Sequence, residues 1–242
     1  MKTLGIIGFG AFSELMVQYL KPYFKVMVSS HRDVSRKVAT FGIAQVSIEQ
    51  VASCDIVIIG VVVEYFEDIL KQIKGHVKPG VLIIDVASVK MKPASLMEKY
   101  LPAHVEILAT HPLFGPQSAR NGIDGSKIVL CPIRTKSSVK VKNFLEDELK
   151  LDVLIRTPKE HDEAMAYVLS LTHFIGRAVN EMDIPFTHLN TQTYKHLLSI
   201  KELIGKDSFE LFKSIQNDNP YAKKVRQDFL KKIIKLEDKL VK

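Results

Sequence analysis

Thr3-Leu4-Gly5-Ile6-Ile7-Gly8, followed at once by Phe9-Gly10-Ala11-Phe12-Ser13, reads as a short apolar strand entering a glycine-punctuated turn that opens a helix. A dinucleotide fingerprint must lie at such a place, because the backbone N–H groups at a helix start are what meet a pyrophosphate. Gly8, Phe9, Gly10, Ala11 and Phe12 are therefore the candidate cofactor loop. The third small position is Ser13 instead of glycine, and its task of close helix-to-strand packing needs only a small side chain. A bare glycine pair can also be an ordinary tight turn; its position at the first strand-to-helix junction favours the nucleotide.

Outward from this loop, short runs rich in β-branched residues recur at 25–29, 55–63, 81–86, 105–108, 127–130 and 153–155, with helical stretches between them. This is the pattern of βαβ units. A near-continuous apolar run such as Ile56-Val57-Ile58-Ile59 implies a strand buried on both faces, hence a mainly parallel sheet covered by helices. Pro22 closes the first helix, Ser47-Ile48-Glu49-Gln50 reads as a capping box, and Lys78-Pro79-Gly80 turns the chain into the next strand. After Pro158 the strand-type runs cease, and helices are predicted over 159–182, 188–203, 208–215 and 221–242. The fold class is α/β: an N-terminal Rossmann-type dinucleotide-binding domain over 1–157, then an all-helical C-terminal domain over 158–242.

Of the 242 residues, 46% are hydrophobic and 25% charged, as in a soluble globular protein. The longest apolar stretch, 56–63, falls far short of the roughly 20 residues that cross a bilayer. The N-terminus passes straight into the glycine loop without an apolar leader helix, so a cytoplasmic location is expected. Cys54 and Cys131 end apolar runs with no CxxC spacing, which predicts packed thiols and no metal site. Much of the net charge of +7 lies in the last twenty residues, where Val225, Phe229, Ile233, Leu236 and Leu240 recur at helical spacing between lysines. With no aromatic-and-basic recognition motif beside that charge, neither nucleic acid nor membrane is expected as a partner. Small anionic ligands are.

The choice between nicotinamide cofactors is read about 20 residues beyond the loop, where a carboxylate would accept from the ribose 2′-hydroxyl of NAD. Here the second strand ends in Ser29-Ser30-His31-Arg32. Ser30, His31 and Arg32 would give a 2′-phosphate a hydroxyl donor and a bidentate cation, which favours NADP over NAD. In the alternative, Arg32 is solvated or stacks on adenine and Asp33 discriminates.

Three further segments stand in an informative order: Asp85-Val86-Ala87-Ser88-Val89-Lys90, Thr110-His111-Pro112-Leu113-Phe114-Gly115-Pro116, and Leu171-Thr172-His173-Phe174-Ile175-Gly176-Arg177. Ligands in open α/β sheets bind beyond the carboxyl ends of the strands, where Ser88 and His111 are expected. An imidazole, with an ordinary pKa of about 6.5, can take a proton from a substrate hydroxyl near neutral pH. Taken singly, a histidine at a strand end is more often a satisfied turn residue, and Ser88 could cap a turn.

Carrying DVxSVK and HPxFGP elements, together with Glu160-His161-Asp162, Asn190-Thr191-Gln192-Thr193-Tyr194 and Asp207-Ser208-Phe209, the chain resembles the prephenate/arogenate dehydrogenase family over nearly its whole length. The short plant-type arogenate dehydrogenases are the most similar branch. The resemblance implies NAD(P)-dependent oxidative decarboxylation of a small anionic cyclohexadienyl substrate at the last stage of tyrosine synthesis, arogenate in preference to prephenate, and a homodimer formed through the helical domain. It implies His111 as acceptor of the substrate hydroxyl proton and Ser88 as its polar neighbour, with Lys90 as a candidate anion ligand. Helical spacing sets Asp162, Ala166, Leu169, His173, Arg177 and Asn180 on one stripe, so His173 and Arg177 share a face and are candidate substrate contacts. An ordinary surface ion pair with Glu181 is the alternative for Arg177.

Where many family members carry an arginine for the ring carboxylate, this chain has Ser199-Ile200-Lys201, leaving Lys201, Lys195, Arg120 and Arg177 as replacements. Gln117 falls where the family often has a glutamate. Asp207 stands where plant-type enzymes have an acid that suits the ammonium of arogenate, although Asp207-Ser208-Phe209-Glu210 also reads as a capping box. The competing functions are another short NADP-dependent dehydrogenase, for which the HPxFGP turn is foreign, and a non-catalytic NADP-binding sensor, which has no need of proton-transfer residues.

Overall fold

The computed structural model describes every residue except 183, 186, 205, 206, 241 and 242. Two compact units are present, Met1–Lys159 and Glu160–Lys242. The first is built on an eight-stranded sheet: β1 (Thr3–Ile7), β2 (Lys25–Ser29), β3 (Ala44–Gln45), β4 (Ile56–Ile59), β5 (Leu82–Asp85), β6 (Glu106–Pro112), β7 (Lys127–Arg134) and β8 (Asp152–Ile155). Their spatial order is β3-β2-β1-β4-β5-β6-β7-β8. All neighbours are parallel except β6 and β7, so β7 and β8 run against the other six. The reversal has a simple cause. A parallel neighbour needs a crossover element, and residues 113–126 contain no helix or strand; they turn back through Gly122 at φ 109° and Gly125 at φ 72°.

Successive side chains of each strand enter opposite cores, as the apolar runs predict. Ile6, Val28, Leu108 and Leu130 pack with Val17 of α1 (Ala11–Leu20) and Leu145 of α6 (Ser138–Asp147). Ile7, Val57, Ile59, Ile83 and Ile107 pack on the other face with Phe66, Leu70 and Ile73 of α4 (Phe66–Ile73) and Met97 of α5 (Met91–Tyr100). Two short helices, α2 (Ser35–Ala39) and α3 (Ile48–Ala52), complete the unit. The capping box at α3 forms in full: Ser47 Oγ accepts from Gln50 N while Gln50 Oε1 accepts from Ser47 N.

Several boundaries differ from the sequence pattern. The apolar run 55–63 gives a strand only over Ile56–Ile59, after which the chain turns into a 3-10 segment at Val63–Tyr65. β6 extends to Pro112, so His111 lies inside a strand opposite Val129 and not in a turn behind it. A groove of about 350 Å3 between α1 and α6 is lined by apolar side chains, Phe12, Met16, Tyr19, Val86, Phe114 and Phe144 among them, and by neither Ser88 nor His111.

In the second unit, α7 (Pro158–Met165), a π-helical turn at Ala166–Leu171 and α8 (Thr172–Glu181) run on without a break. They are followed by α9 (Gln192–Ile204), α10 (Phe209–Asn217) and α11 (Ala222–Leu240). Among the described residues no strand follows β8. α9 starts four residues later than its pattern predicts because Thr191 Oγ1 accepts from Tyr194 N–H and thereby fixes the helix start. The π turn slips the phase of the stripe: Asp162, Ala166, Ser170 and His173 are buried, and Leu169 is not. α8 and α9 approach closely at Gly176, where a Cβ would stand 2.4 Å from Ile204 Cδ1. No helix among the described residues is long and apolar enough to cross a membrane.

Close packing at the first strand yields a measurable cost. A Cβ on Gly5 would lie 2.5 Å from Val51 Cγ1 and 2.7 Å from the Val51 carbonyl oxygen, whereas one on Gly10 meets nothing within 4 Å. Gly5→Ala should therefore lose about 1–3 kcal/mol of stability, read as a lower urea midpoint, while Gly10→Ala leaves the midpoint unchanged.

Candidate active site

The glycine loop leaves β1 with Gly8 at φ 92°, a conformation that disfavours any side chain, and a Cβ there would stand 2.6 Å from the Gly60 carbonyl oxygen. Gly8 N–H donates to Ser29 O, and Gly60 N–H donates to Ile7 O, so β1, β2 and β4 end together. Ser13 fills the role of the third small residue: it is buried, and its Oγ stands 3.0 Å from where a Cβ on Gly60 would be. Phe9 is buried in the core, leaving Gly10, Ala11 and the half-buried Phe12 at the surface of the turn. Gly10 is the N-cap of α1 and no side chain caps that helix. Uncapped N–H groups beside a position with open space are what a pyrophosphate needs, so these residues fit a dinucleotide.

Beyond β2, Ser30 Oγ accepts from Arg32 N–H, and His31 and Arg32 are exposed. This loop is fastened by a residue that sequence reasoning missed. Gln45 on β3 donates to the carbonyls of Ser30 and Arg32 and accepts from Val34 N–H. Asp33 accepts from the amide and hydroxyl of Ser35, and those hydrogen bonds hold its carboxyl below the usual carboxylate range. Asp33 is thus engaged in starting α2.

Asp85, the last residue of β5, pairs with Ala109 of β6. Ser88, three residues beyond Asp85, and His111, the next-to-last residue of β6, therefore stand toward the same carboxyl edge of the sheet. Ser88 is half-buried and His111 is 6% exposed. Lys90 contradicts its sequence assignment as an anion ligand. It is fully buried, its ammonium paired with Asp85 Oδ1 and donating to the Thr110 carbonyl. Burial pushes the Asp85 carboxyl up, and the Lys90 ammonium opposes that push. Gln117, in the loop after β6, accepts from Arg120 Nη2 at 2.5 Å.

In the helical unit, His173, Arg177 and Asp207 come together. His173 Nδ1 lies 3.7 Å from Asp207 Oδ2, too long for a hydrogen bond, and is buried without a hydrogen-bond partner. Arg177 Nη2 donates to the Asp207 carbonyl at 3.2 Å, while its guanidinium rests against Phe209 at 5.8 Å and Phe212 at 5.3 Å. Its Nε is likewise buried with no hydrogen-bond partner. Arg177 is thus anchored on α10 and on Asp207, two residues before that helix, and no partner from Glu181 is needed to explain its place. Burial pulls the His173 imidazole below its ordinary pKa and pushes the Asp207 carboxyl above its own, while Arg177 draws Asp207 back down. The N-cap of α10 is Ser208, whose Oγ accepts from Leu211 N–H, so the Asp207 carboxyl is not consumed in capping. Among the described residues no cluster of three or more histidine, cysteine or acidic side chains could hold a metal.

Residues 24–155 match the family model described as the nucleotide-binding domain of prephenate dehydrogenase, and residues 178–242 match one described as a TYRAAT1-like C-terminal domain. A probable arogenate/prephenate dehydrogenase of Methanocaldococcus jannaschii is 29% identical over 94% of this chain and 54% of its own length. Arogenate dehydrogenase 1, chloroplastic, of Arabidopsis thaliana is 28% identical over 90% of this chain and 36% of its own. The chain thus spans about half, or less, of the length of these curated relatives. Among solved structures, prephenate dehydrogenase from Aquifex aeolicus, in complex with hydroxyphenyl propionate and NAD+, superposes with a TM-score of 0.78 at 21% identity, over 100% of this chain and 91% of that one. Arogenate dehydrogenase from Synechocystis gives 0.71 at 17% identity, over 99% and 92%. At such identities these two establish the fold. The first family model spans more than half of the sequence and includes both Ser88 and His111, and on that match the chain belongs to the prephenate dehydrogenase family.

Proposed function

We propose that the chain catalyses NADP-linked oxidative decarboxylation of a cyclohexadienyl acid, arogenate in preference to prephenate, to give a phenol. The observation that carries this is the placement of Ser88 and His111 along the carboxyl edge of a sheet that also ends in an open glycine loop. When bound, the nicotinamide supplies the hydride acceptor. His111 takes the proton of the ring 4-hydroxyl as hydride leaves C4, and Ser88 orients that hydroxyl. The bond to the ring carboxylate breaks, its electron pair makes the ring aromatic as CO2 departs, and His111 returns the proton to the phenolate oxygen, so aromatisation drives the reaction. The glycine loop takes the pyrophosphate on the N–H groups of α1.

Within the helical unit, His173, Arg177 and Asp207 form a cluster of candidate recognition groups. His173 and Arg177 each hold a buried nitrogen without a hydrogen-bond partner, which suits them to a carboxylate of the substrate. Asp207 beside them suits an α-ammonium, the group that distinguishes arogenate from prephenate. Arg32, exposed beside Ser30 while Asp33 is engaged with Ser35, supports NADP over NAD. The exposed Leu230, Ile233, Ile234, Leu236 and Leu240 of α11 support a homodimer formed through the helical unit. The relatives described above are named as arogenate or arogenate/prephenate dehydrogenases, the first of them as a probable one, which supports the same chemistry here.

The reduction of NADP+ by arogenate or by prephenate, followed at the NADPH absorbance band, tests this directly. His111→Ala should lower kcat by about 10²–10⁴-fold. No turnover of either substrate by the unaltered protein removes the function, and turnover that survives the substitution removes only the role of His111. Arg32→Ala should raise KM for NADP+ by about tenfold or more, as expected for a lost charge-assisted hydrogen bond, and barely change that for NAD+; equal effects exclude Arg32 as the discriminator. Asp207→Asn should cut kcat/KM for arogenate by about tenfold or more and leave prephenate turnover intact or improved, and an unchanged preference ratio counts against Asp207 as the ammonium partner.

A further inference from the structure

Four polar groups cross-link the ends of β5 and β6 in the interior of the first unit. Ala87 N–H donates to Asp85 Oδ1 at 2.9 Å, closing the start of the segment that carries Ser88. Lys90, five residues after Asp85, returns to the same oxygen and also donates to the carbonyl of Thr110. Thr110 Oγ1 in turn donates to the Asp85 carbonyl at 2.6 Å. Asp85 and Lys90 are fully buried, and Thr110 is 3% exposed.

Stability alone is a poor reason for this arrangement. A buried ion pair gains little over an apolar pair of the same size, because removing two charges from water offsets their attraction. The sheet is otherwise apolar at this depth, and an aliphatic pair would serve the core as well. What an apolar pair cannot do is fix direction. The ammonium bonds the carboxylate that opens the Ser88 segment and the backbone carbonyl of the residue immediately before His111, so both neighbours are set in one frame.

We infer that Lys90 and Asp85 are positioning residues, a buried tether that holds the Ser88 segment and the His111 strand in mutual register for proton transfer. This rests on the function proposed above, in which Ser88 and His111 act on one hydroxyl. It assigns Lys90 to the enzyme's internal geometry and takes it off the list of substrate ligands.

Two variants test the tether. Thr110→Val keeps both charges and the side-chain shape but removes one cross-strand bond. Asp85→Asn combined with Lys90→Met removes the two charges together, so that neither is left buried alone. With folding checked by thermal melting, the single variant should lose about tenfold in kcat and the double variant about a hundredfold, with KM for substrate and cofactor changed by less than about threefold, as expected for misplaced but intact groups. A third reading needs no turnover: in protein labelled with 13C-histidine, the His111 Cε1 resonance, assigned by its loss in His111→Ala, should shift in Thr110→Val. A raised KM for substrate with kcat retained would overturn the inference and return Lys90 to anion binding. An unshifted resonance together with unchanged kcat in Thr110→Val would reduce the tether to packing. If the unaltered protein turns over neither substrate while the resonance shifts as expected, the proposed function fails and the tether stands.

Discussion

A parallel sheet covered on both faces has no water along its strands, so polar side chains can be placed cheaply only where the strands end. That constraint organises the first unit. β1, β4 and β5 are apolar runs because each residue faces one core or the other, and ionisable side chains must wait for the carboxyl edge. Gly8, Ser30 and Ser88 stand just beyond strand ends on that edge, and His111 is the next-to-last residue of β6. The same constraint explains Lys90: a lysine this deep must be paired, and its ammonium has a carboxylate and a carbonyl.

The helical unit follows a different rule. Its helices bury a stripe instead of a face, and the stripe carries polar side chains that need partners. Ser170 donates to the Ile215 carbonyl, Gln216 donates to the Ser170 carbonyl, and Asn219 donates to the Asp162 carbonyl, so that part of the stripe is bonded to α10 and the turn that follows it. The part at His173 and Arg177 is not satisfied in the same way. Leaving a buried donor or acceptor unmatched costs about 1–3 kcal/mol, and the contrast along one continuous helix sets its His173 end apart from the rest.

The fold was largely legible because its signals are local. Alternating runs, Pro22, the Ser47 capping box and the glycine loop each act over a few residues, and each took the form its pattern predicts. The misses are non-local. The reversal of β7 depends on residues 113–126 forming no crossover helix, and the two-residue β3 is too short to carry a pattern. The π turn at Ala166–Leu171 moves Ser170 onto the stripe in place of Leu169, which a strict helical period cannot foresee. Gln45 escaped notice for a related reason: a glutamine in a weak strand carries no signal until the loop it fastens is folded against it.

By itself the sequence determined the α/β class, the position of the glycine loop, the helical nature of the C-terminal third and the residue types available for proton transfer. These follow from hydrophobic period, turn chemistry and side-chain pKa, which are properties of short segments. Only the tertiary structure decided which polar side chains are committed to the protein itself. Lys90 looked available and is held inside, whereas Asp207, read both as an ammonium partner and as part of a capping box, faces His173, with Ser208 doing the capping. The physical reason is that a charge's role depends on its desolvation and its nearest partners, and both are set by chain segments distant in sequence.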